Sequence, residues 1–395
     1  MNRKTENKTK WFPLALLLGG GHFITDMYPA FTAPVLPLLM EKLDFSVAFA
    51  GFIAATISFA SSFLQVVFGY LSDKISRRYF VIAGPLIAAV FFSIIGYIPD
   101  KWMLILCLLI GGIGVSQFHP LAAKMVHDIS GTNRGKAMSV FVTGGSIGYS
   151  IGPLVITSII ALYGLEYVPF AAIPGVIVSY LLFRFAPKHK AQNTSPRVFF
   201  KKENLKQVKS LMLYLCIGIS RSIVIMGFTV MIPILYSMRN MSLEKGGFAV
   251  FIMHFLGGIG VFFGGFISDK VAPKILITLS FLFGAPALFA FVSTSEPFAL
   301  IYLGAAGFLL YSSIPAVITQ AQATMPSNMS TVSSMVMGFS WGVGGLLVMV
   351  VGKFAEVYGV YETLRVLAFL PFLGFFLSLL LHIREKEETS LPEYI

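Results

Sequence analysis

One apolar run of the sequence carries a histidine and a carboxylate four residues apart. The run extends from Trp11 to Met40 and contains His22, Asp26 and three consecutive glycines. In an α-helix, residues i and i+4 lie on the same face. Because imidazole ordinarily titrates near neutral pH, a histidine beside a carboxylate makes a proton-binding site. We therefore predict that His22 and Asp26 bind and release protons.

A second charged residue lies inside another apolar run. Arg221 falls within residues 209–237, which are otherwise largely apolar. A charged side chain at the centre of a bilayer costs at least about 2.5–3.5 kcal/mol, so such a charge is expected to have a function or a partner. Two interpretations of Arg221 remain open: it binds an anionic substrate, or it forms a static ion pair with Asp26.

Both charges belong to a chain that is too apolar for a water-soluble protein. Of its 395 residues, 56% are hydrophobic and 12% are charged, whereas soluble domains carry about 25% charged residues. The sequence predicts an all-α membrane protein with 12 transmembrane helices, because each apolar run is long enough to cross about 30 Å of hydrocarbon. The predicted spans are 11–40, 46–71, 79–98, 102–124, 135–162, 167–186, 209–237, 243–268, 273–293, 298–323, 331–357 and 361–383.

The basic residues indicate topology rather than nucleic-acid binding. The net charge is +11, but 22 of the 29 lysines and arginines fall on one side if both termini are cytoplasmic. This asymmetry predicts a multi-pass protein of the cytoplasmic (inner) membrane with both termini inside. The sequence contains no zinc-protease, serine-hydrolase or nucleotide-loop motif. We therefore expect no enzyme activity, no ATP-driven pump, no metal and no cofactor.

The two halves of the chain repeat each other. GYLSDKISRRYFV at 69–81 is matched by GFISDKVAPKILI at 265–277, an offset of 196 residues. The same offset relates Pro37 to Pro233 and Gly148 to Gly344. We predict two six-helix bundles, 1–186 and 209–395, joined by a polar cytoplasmic linker at 187–208. With six spans each, both halves start on the same side and form parallel pseudo-repeats.

The repeated loop resembles a motif of the major facilitator superfamily, G-x-L-x-D-x-x-G-R-R/K, in which Ser76 replaces the second glycine. The resemblance implies the superfamily fold and a gating latch that breaks when the transporter opens inward. The residues that form its two copies are Gly69, Asp73, Arg77, Arg78, Asp269 and Lys270. A solvated basic turn is the alternative interpretation.

The fifth span resembles the antiporter motif of drug/proton exporters in the same superfamily. The matching residues are Gly148, Gly152 and Pro153, although the glycine pair that follows the proline in that family is absent. Glycines four residues apart allow close helix packing, and proline bends a helix. The motif favours export over uptake, with generic small-residue packing as the alternative.

Two short stretches resemble the fosmidomycin-resistance-like exporters: GGHF at 20–23 with Asp26, and FHP at 118–120. On this basis we add His119 to the predicted proton-coupling residues. Leu121 stands where we expect a carboxylate in that group. Leu108 stands where many drug antiporters carry an arginine, so coupling through that arginine is excluded.

Further side chains within the spans are candidates for substrate contact, each with a packing alternative. They are Tyr28, Phe31, Gln117, His254 and Trp341. The sequence as a whole predicts a monomeric, proton-coupled antiporter that exports a small anionic or drug-like molecule by alternating access. An uptake symporter for an organic anion and a lipid flippase of the same fold remain open alternatives.

Overall fold

The computed structural model describes residues 11–71, 77–187, 205–325, 332 and 335–381. Within these residues the chain forms helices joined by short loops, without β-strands, which confirms the all-α prediction. Eleven helices of the described part of the chain are long and apolar enough to cross a membrane. The apolar segment Val47–Phe63 is shorter, but the helix continues to Leu71. Each of the 12 predicted spans therefore corresponds to helical structure.

We number the spans α1–α12 in chain order. The first six are α1 (Trp11–Leu43), α2 (47–71), α3 (77–97), α4 (Lys101–Ile129), α5 (Arg134–Tyr163) and α6 (Leu165–Phe185). The last six are α7 (Leu205–Met238), α8 (Leu243–Lys270), α9 (Pro273–Ser293), α10 (Phe298–Thr324), α11 (Met335–Tyr358) and α12 (Val360–Leu379). Of the predicted linker 187–208, residues 188–204 lie outside the described part of the chain.

Within the described residues, five spans change helix type along their length: α1, α2, α3, α6 and α11. In α1 a 3-10 turn at Pro29–Phe31 follows the segment that carries Asp26. Helices α2 and α11 contain π-helical segments at Phe59–Phe63 and Met335–Phe339, and the two segments contact each other. Such irregular turns often mark functional positions within helices. The two π-helical segments lie where the first half of the chain meets the second.

Helices α1 and α5 pack backbone to backbone through glycines of α5. A Cβ atom at Gly148 would overlap the carbonyl oxygen of Phe23, and one at Gly152 would lie 2.5 Å from that of Met27. Pro153 follows directly in the helix. The glycines of the predicted antiporter motif therefore form the face of α5 that meets α1.

The same packing occurs in the second half of the chain. Gly344 of α11 faces Ser222 of α7, as Gly148 of α5 faces Phe23 of α1, so the pairs α1–α5 and α7–α11 correspond. Contacts between α2 and α11 and between α5 and α8 join the halves in an equally symmetric way. The sequence offset of 196 residues is thus a structural repeat.

The outer surface of the helices is apolar. Leu16, Phe183 and Phe262 are 57%, 56% and 61% exposed. Water-soluble monomers rarely expose extended apolar surfaces. These side chains are accordingly the ones that face lipid.

Replacing Gly148 with alanine should destabilise the protein, because the added methyl group has no space against Phe23. Overpacking typically costs about 1–3 kcal/mol, so the purified protein should unfold at a lower temperature. Gly20→Ala is the matched control, because a Cβ atom there has nothing within 4 Å. It should keep or raise the unfolding temperature, since alanine is the better helix former. An unchanged unfolding temperature for Gly148→Ala would contradict the close contact.

Candidate functional site

Asp26 lies between two histidines, one from its own helix and one from α4. Its Oδ2 atom is 3.1 Å from Nε2 of His22, and its Oδ1 atom is 2.8 Å from Nε2 of His119. The two imidazoles meet edge to face, with centroids 4.8 Å apart. The structure thus brings together the three residues predicted for proton coupling, which we call the Asp26 site.

Each histidine of the Asp26 site is anchored through its other ring nitrogen. Nδ1 of His22 is 2.8 Å from the carbonyl oxygen of Phe141, whose ring stacks on the imidazole at 4.2 Å. Nδ1 of His119 is 2.8 Å from the carbonyl oxygen of Val115. Because a carbonyl only accepts hydrogen bonds, both rings carry a proton on Nδ1 and present Nε2 to Asp26.

Gly145 of α5 leaves the space in which this cluster sits. A Cβ atom at this position would lie 2.7 Å from Oδ2 of Asp26 and would overlap Nε2 of His22. One nitrogen from each histidine and one carboxylate oxygen lie within 4.8 Å of one another. That spacing suits protons between the atoms, and it would also suit a metal ion, which the sequence does not predict.

Arg221 of α7 is a buried cation, only 2% exposed. Its Nη1 donates a hydrogen bond of 3.3 Å to Oγ of Ser313, and its Nε has no hydrogen-bond partner. Among the ion pairs of the described residues, Asp26 is joined to histidines and not to Arg221. The direct ion pair that the sequence left open is therefore not formed in this structure.

A directional set of hydrogen bonds lies beside Arg221. The hydroxyl of Thr229 donates to the carbonyl of Ile225 at 2.7 Å, so it accepts from Nε2 of His254 at 2.9 Å. Nδ1 of His254 then accepts from the hydroxyl of Tyr311 at 2.8 Å. The phenol of Tyr311 is within electrostatic range of Arg221. His254 thus fixes the position of the Tyr311 hydroxyl, which is part of the surroundings of Arg221.

Tyr149 of α5 lies between the Asp26 site and the surroundings of Arg221. It is one helical turn beyond Gly145, and its phenol is within electrostatic range of both Asp26 and Tyr311. Its ring meets His254 of α8 edge to face, with centroids 4.9 Å apart. Because α5 and α8 belong to different halves, Tyr149 links the two charged sites across the interface.

Tyr149 and Tyr311 were missed by the sequence reasoning. Tyr149 had a detectable signal, since it is the aromatic residue within the glycine-rich stretch GGSIGYSIGP at 144–153. The sequence contains no such signal for Tyr311, because its contact with His254 depends on the packing of α10 against α8. Trp341, which was predicted, is near Tyr311, with ring centroids 6.2 Å apart.

Three other predicted substrate contacts lie in packed surroundings. Tyr28 and Phe31 are completely buried, and the Tyr28 hydroxyl donates to the Ala171 carbonyl at 2.8 Å. Both side chains are packed away from any cavity surface in this structure, and their contact with a substrate stays a prediction. Gln117 is 5% exposed, and its Nε2 has no hydrogen-bond partner.

The predicted gating motif is described only in part. Asp73 lies outside the described residues. Gly69 is near the end of α2, Arg77 begins α3, and Asp269 and Lys270 end α8. Arg78 donates to the carbonyl of Phe183 and lies 5.7 Å from the centre of its ring. This contact joins the start of α3 to the end of α6, and the latch remains a prediction.

Comparisons with known proteins point to one family. The family model described as Major Facilitator Superfamily matches residues 18–349. The chain is 27% identical to an uncharacterized MFS-type transporter of Bacillus subtilis (strain 168), covering 96% of both chains. It is 26% identical to the fosmidomycin resistance protein of Escherichia coli (strain K12), covering 93% of this chain and 92% of that protein.

The fold also matches that of a solved transporter. A bacterial homolog of the human lysosomal transporter Spinster, in an inward-facing and occupied conformation, superposes with a TM-score of 0.78. The match covers 93% of this chain and 95% of that one, at 15% sequence identity. At that identity the likeness concerns the fold alone.

Removing the charges of Asp26 and Arg221 should have additive effects on stability, because the two residues are not in contact. Non-interacting sites usually add to within about 0.3–0.5 kcal/mol. The unfolding temperatures of Asp26→Asn, Arg221→Gln and the double variant test this. Asp26→Asn combined with His119→Gln is the positive control and should be non-additive, since these residues touch. Non-additivity of the Asp26 and Arg221 pair would favour the static ion pair.

Proposed function

The chain belongs to the Major Facilitator Superfamily, and on this premise we propose that it is a proton-coupled antiporter that exports a small organic anion. As a member of this superfamily it is a secondary transporter that works by alternating access. The proposal for this chain rests mainly on one observation. A carboxylate held by two imidazoles is linked through Tyr149 and Tyr311 to a buried cation, Arg221, that has no carboxylate partner among the described residues.

The surroundings of Arg221 support an anionic substrate. A guanidinium group offers five N–H donors in a planar arrangement that matches carboxylate and phosphate oxygens. In Arg221 one nitrogen binds Ser313 and Nε is left without a partner. The phenol of Tyr311 is within electrostatic range of Arg221, and the ring of Trp341 lies 6.2 Å from that of Tyr311. These features suit a carboxylate or phosphonate attached to an apolar or aromatic body.

The Asp26 site supports coupling to protons. Its three members are a carboxylate and two imidazoles, and both contacts of Asp26 are made to ring nitrogens, which can bind a proton. One of these contacts joins α1 to α4, so its protonation state bears on how the two helices pack. We propose that proton coupling depends on Asp26, which binds the transported protons together with His22 and His119.

The proposed direction is export. The glycine motif of α5 resembles that of drug/proton exporters, and one relative is named for resistance to fosmidomycin. We further propose that the protein works as a monomer in the cytoplasmic membrane, with both termini in the cytoplasm.

A second candidate function is uptake of an organic anion together with protons. One observation favours it: Arg221 and the imidazoles of the Asp26 site all carry positive charge when protonated. Protonation would then strengthen the binding of an anion between them, which suits symport.

The direction of coupling can be tested in proteoliposomes with radiolabelled fosmidomycin as the anionic probe. An acidic lumen should drive accumulation of the probe, because protons that leave the vesicle exchange for it. Accumulation with an acidic exterior instead would establish symport. Accumulation that does not depend on either gradient would contradict proton coupling altogether.

Replacing Arg221 with glutamine should weaken the binding of anions far more than that of neutral molecules. Hydrogen bonds to charged groups contribute about 1.5–3 kcal/mol, which corresponds to roughly ten- to hundred-fold in affinity. The measurement compares ligand-induced thermal stabilisation by phosphonates with that by their neutral diethyl esters. Arg239→Gln, at an exposed position, is the control and should bind both as before. Equal loss of both ligands in Arg221→Gln would contradict an anion site.

Replacing Asp26 with asparagine should abolish proton-driven accumulation while leaving the protein folded. The amide cannot ionise, but it can still donate and accept hydrogen bonds toward the two histidines. In proteoliposomes the variant should still exchange labelled for unlabelled probe at equal pH, and an imposed pH gradient should no longer drive accumulation. Accumulation at the level of the unaltered protein would show that proton coupling does not depend on Asp26.

A further inference from the structure

The donor and acceptor pattern of the Asp26 site sets how many protons it holds. His22 and His119 both direct Nδ1 at a backbone carbonyl at 2.8 Å. A neutral imidazole has a single N–H, which the carbonyl claims in each ring. If both rings were neutral, both Nε2 atoms would present lone pairs to Asp26.

An ionised carboxylate also presents only lone pairs. At 3.1 Å from His22 and 2.8 Å from His119, Asp26 would then face two ring nitrogens without a hydrogen in either contact. Two such contacts at hydrogen-bond distance are repulsive. Each becomes a hydrogen bond only when a proton lies in it.

We propose that the Asp26 site binds two protons, one in each contact, and that these two protons are the coupling ions of the proposed transporter. This inference rests on the proposed function for its role in transport, while the proton count rests on geometry alone. Because imidazole ordinarily holds a proton more tightly than a carboxylate, both protons belong on Nε2. The loaded site is then two imidazolium rings around one carboxylate, with a net charge of +1.

The groups around the site supply no competing charge. Helices α3, α4, α5 and α6 pack against the segment of α1 that carries Asp26. The described titratable groups that act on Asp26 are His22 of α1, His119 of α4 and the phenol of Tyr149 on α5. Within the described residues, α3 and α6 add no charge interaction with Asp26. Among the described groups, only these side chains therefore influence the binding of the two protons through their charge.

The two protons have different structural consequences. The contact to His22 lies within one helix, four residues apart, and its loss leaves the helix packing unchanged. The contact to His119 joins α1 to α4. When its proton leaves, two lone pairs face each other at 2.8 Å and the helices must separate locally. Release of the proton in the contact to His119 is thus the step that requires helix movement.

The test is to observe the ring nitrogens directly. The full chain, labelled with ¹⁵N-histidine, purified with EDTA and reconstituted into lipid nanodiscs, gives ¹⁵N chemical shifts that report whether each nitrogen is protonated. At pH 6 we expect His22 and His119 to be protonated on both nitrogens and His254 to be protonated on Nε2 alone. The variants His22→Gln and His119→Gln assign the two rings.

Substitutions that supply fixed donors should lower the count by one. In Asp26→Asn the amide donates one hydrogen bond and accepts one, so only one of the two rings should remain an imidazolium. In His119→Gln the amide donates to Asp26, so His22 alone should hold a proton. His127→Gln is the control, since His127 is half exposed and pairs with Asp128 rather than with Asp26. This variant should leave both imidazolium rings unchanged.

Several outcomes would overturn the proposal. An unprotonated Nε2 on either ring at pH 6 in the unaltered chain would do so, as would an unchanged count in Asp26→Asn. Shifts that differ between EDTA-treated and untreated protein would identify a metal ion as the occupant instead. Failure of proton-driven transport with two imidazolium rings present would refute the proposed function and leave the proton count standing.

Discussion

Helices α1 and α5 touch backbone to backbone, and the Asp26 site is built at this contact. Gly148 and Gly152 remove the side chains that would separate the helices, and Gly145 leaves the space that the carboxylate and His22 occupy. A charged group within hydrocarbon needs hydrogen-bonding partners, because the bilayer offers none. Without the glycines of α5, the cluster of Asp26 with two imidazoles would have no room, and the site would lose its connection through Tyr149 to the other half.

The pseudo-repeat provides the scaffold, and the functional residues depart from it. At the offset of 196 residues, Tyr149 and His254 correspond to Gly345 and Ser58. Gly345 and Ser58 pack tightly where α11 meets α2. The matching place between α5 and α8 holds an aromatic ring against an imidazole. The helix pair α2–α11 is therefore closely packed at this position, whereas the corresponding pair α5–α8 places the ring of Tyr149 against the imidazole of His254.

The sequence was sufficient for features that depend on one helix or on a regular pattern. Hydropathy located the spans, the offset located the repeat, and the spacing of His22 and Asp26 placed both on one face. The pairing of Asp26 with His119 needed two helices, and only the resemblance to known exporters suggested it. The sequence does not predict how each helix is rotated about its axis, because a span that is apolar on all sides has no distinct buried face. For this reason the sequence could not show that Tyr28 and Phe31 are packed inside in this structure.

The signs of the charges constrain how proton and anion binding are linked. With two protons bound, the Asp26 site and Arg221 each carry a positive charge, and an anion between them is attracted by both. In a medium of low dielectric this attraction is strong, and linkage requires that the anion raise proton affinity by the same factor. Mutual reinforcement suits a symporter, whereas an antiporter needs the two ligands to exclude each other. If the protein exports the anion in exchange for protons, something other than local electrostatics must therefore prevent the two ligands from binding at the same time. Under the proposed function the contact between Asp26 and His119 would do so, because its protonation would hold α1 against α4, and we propose that this favours one conformation of the transporter over the other.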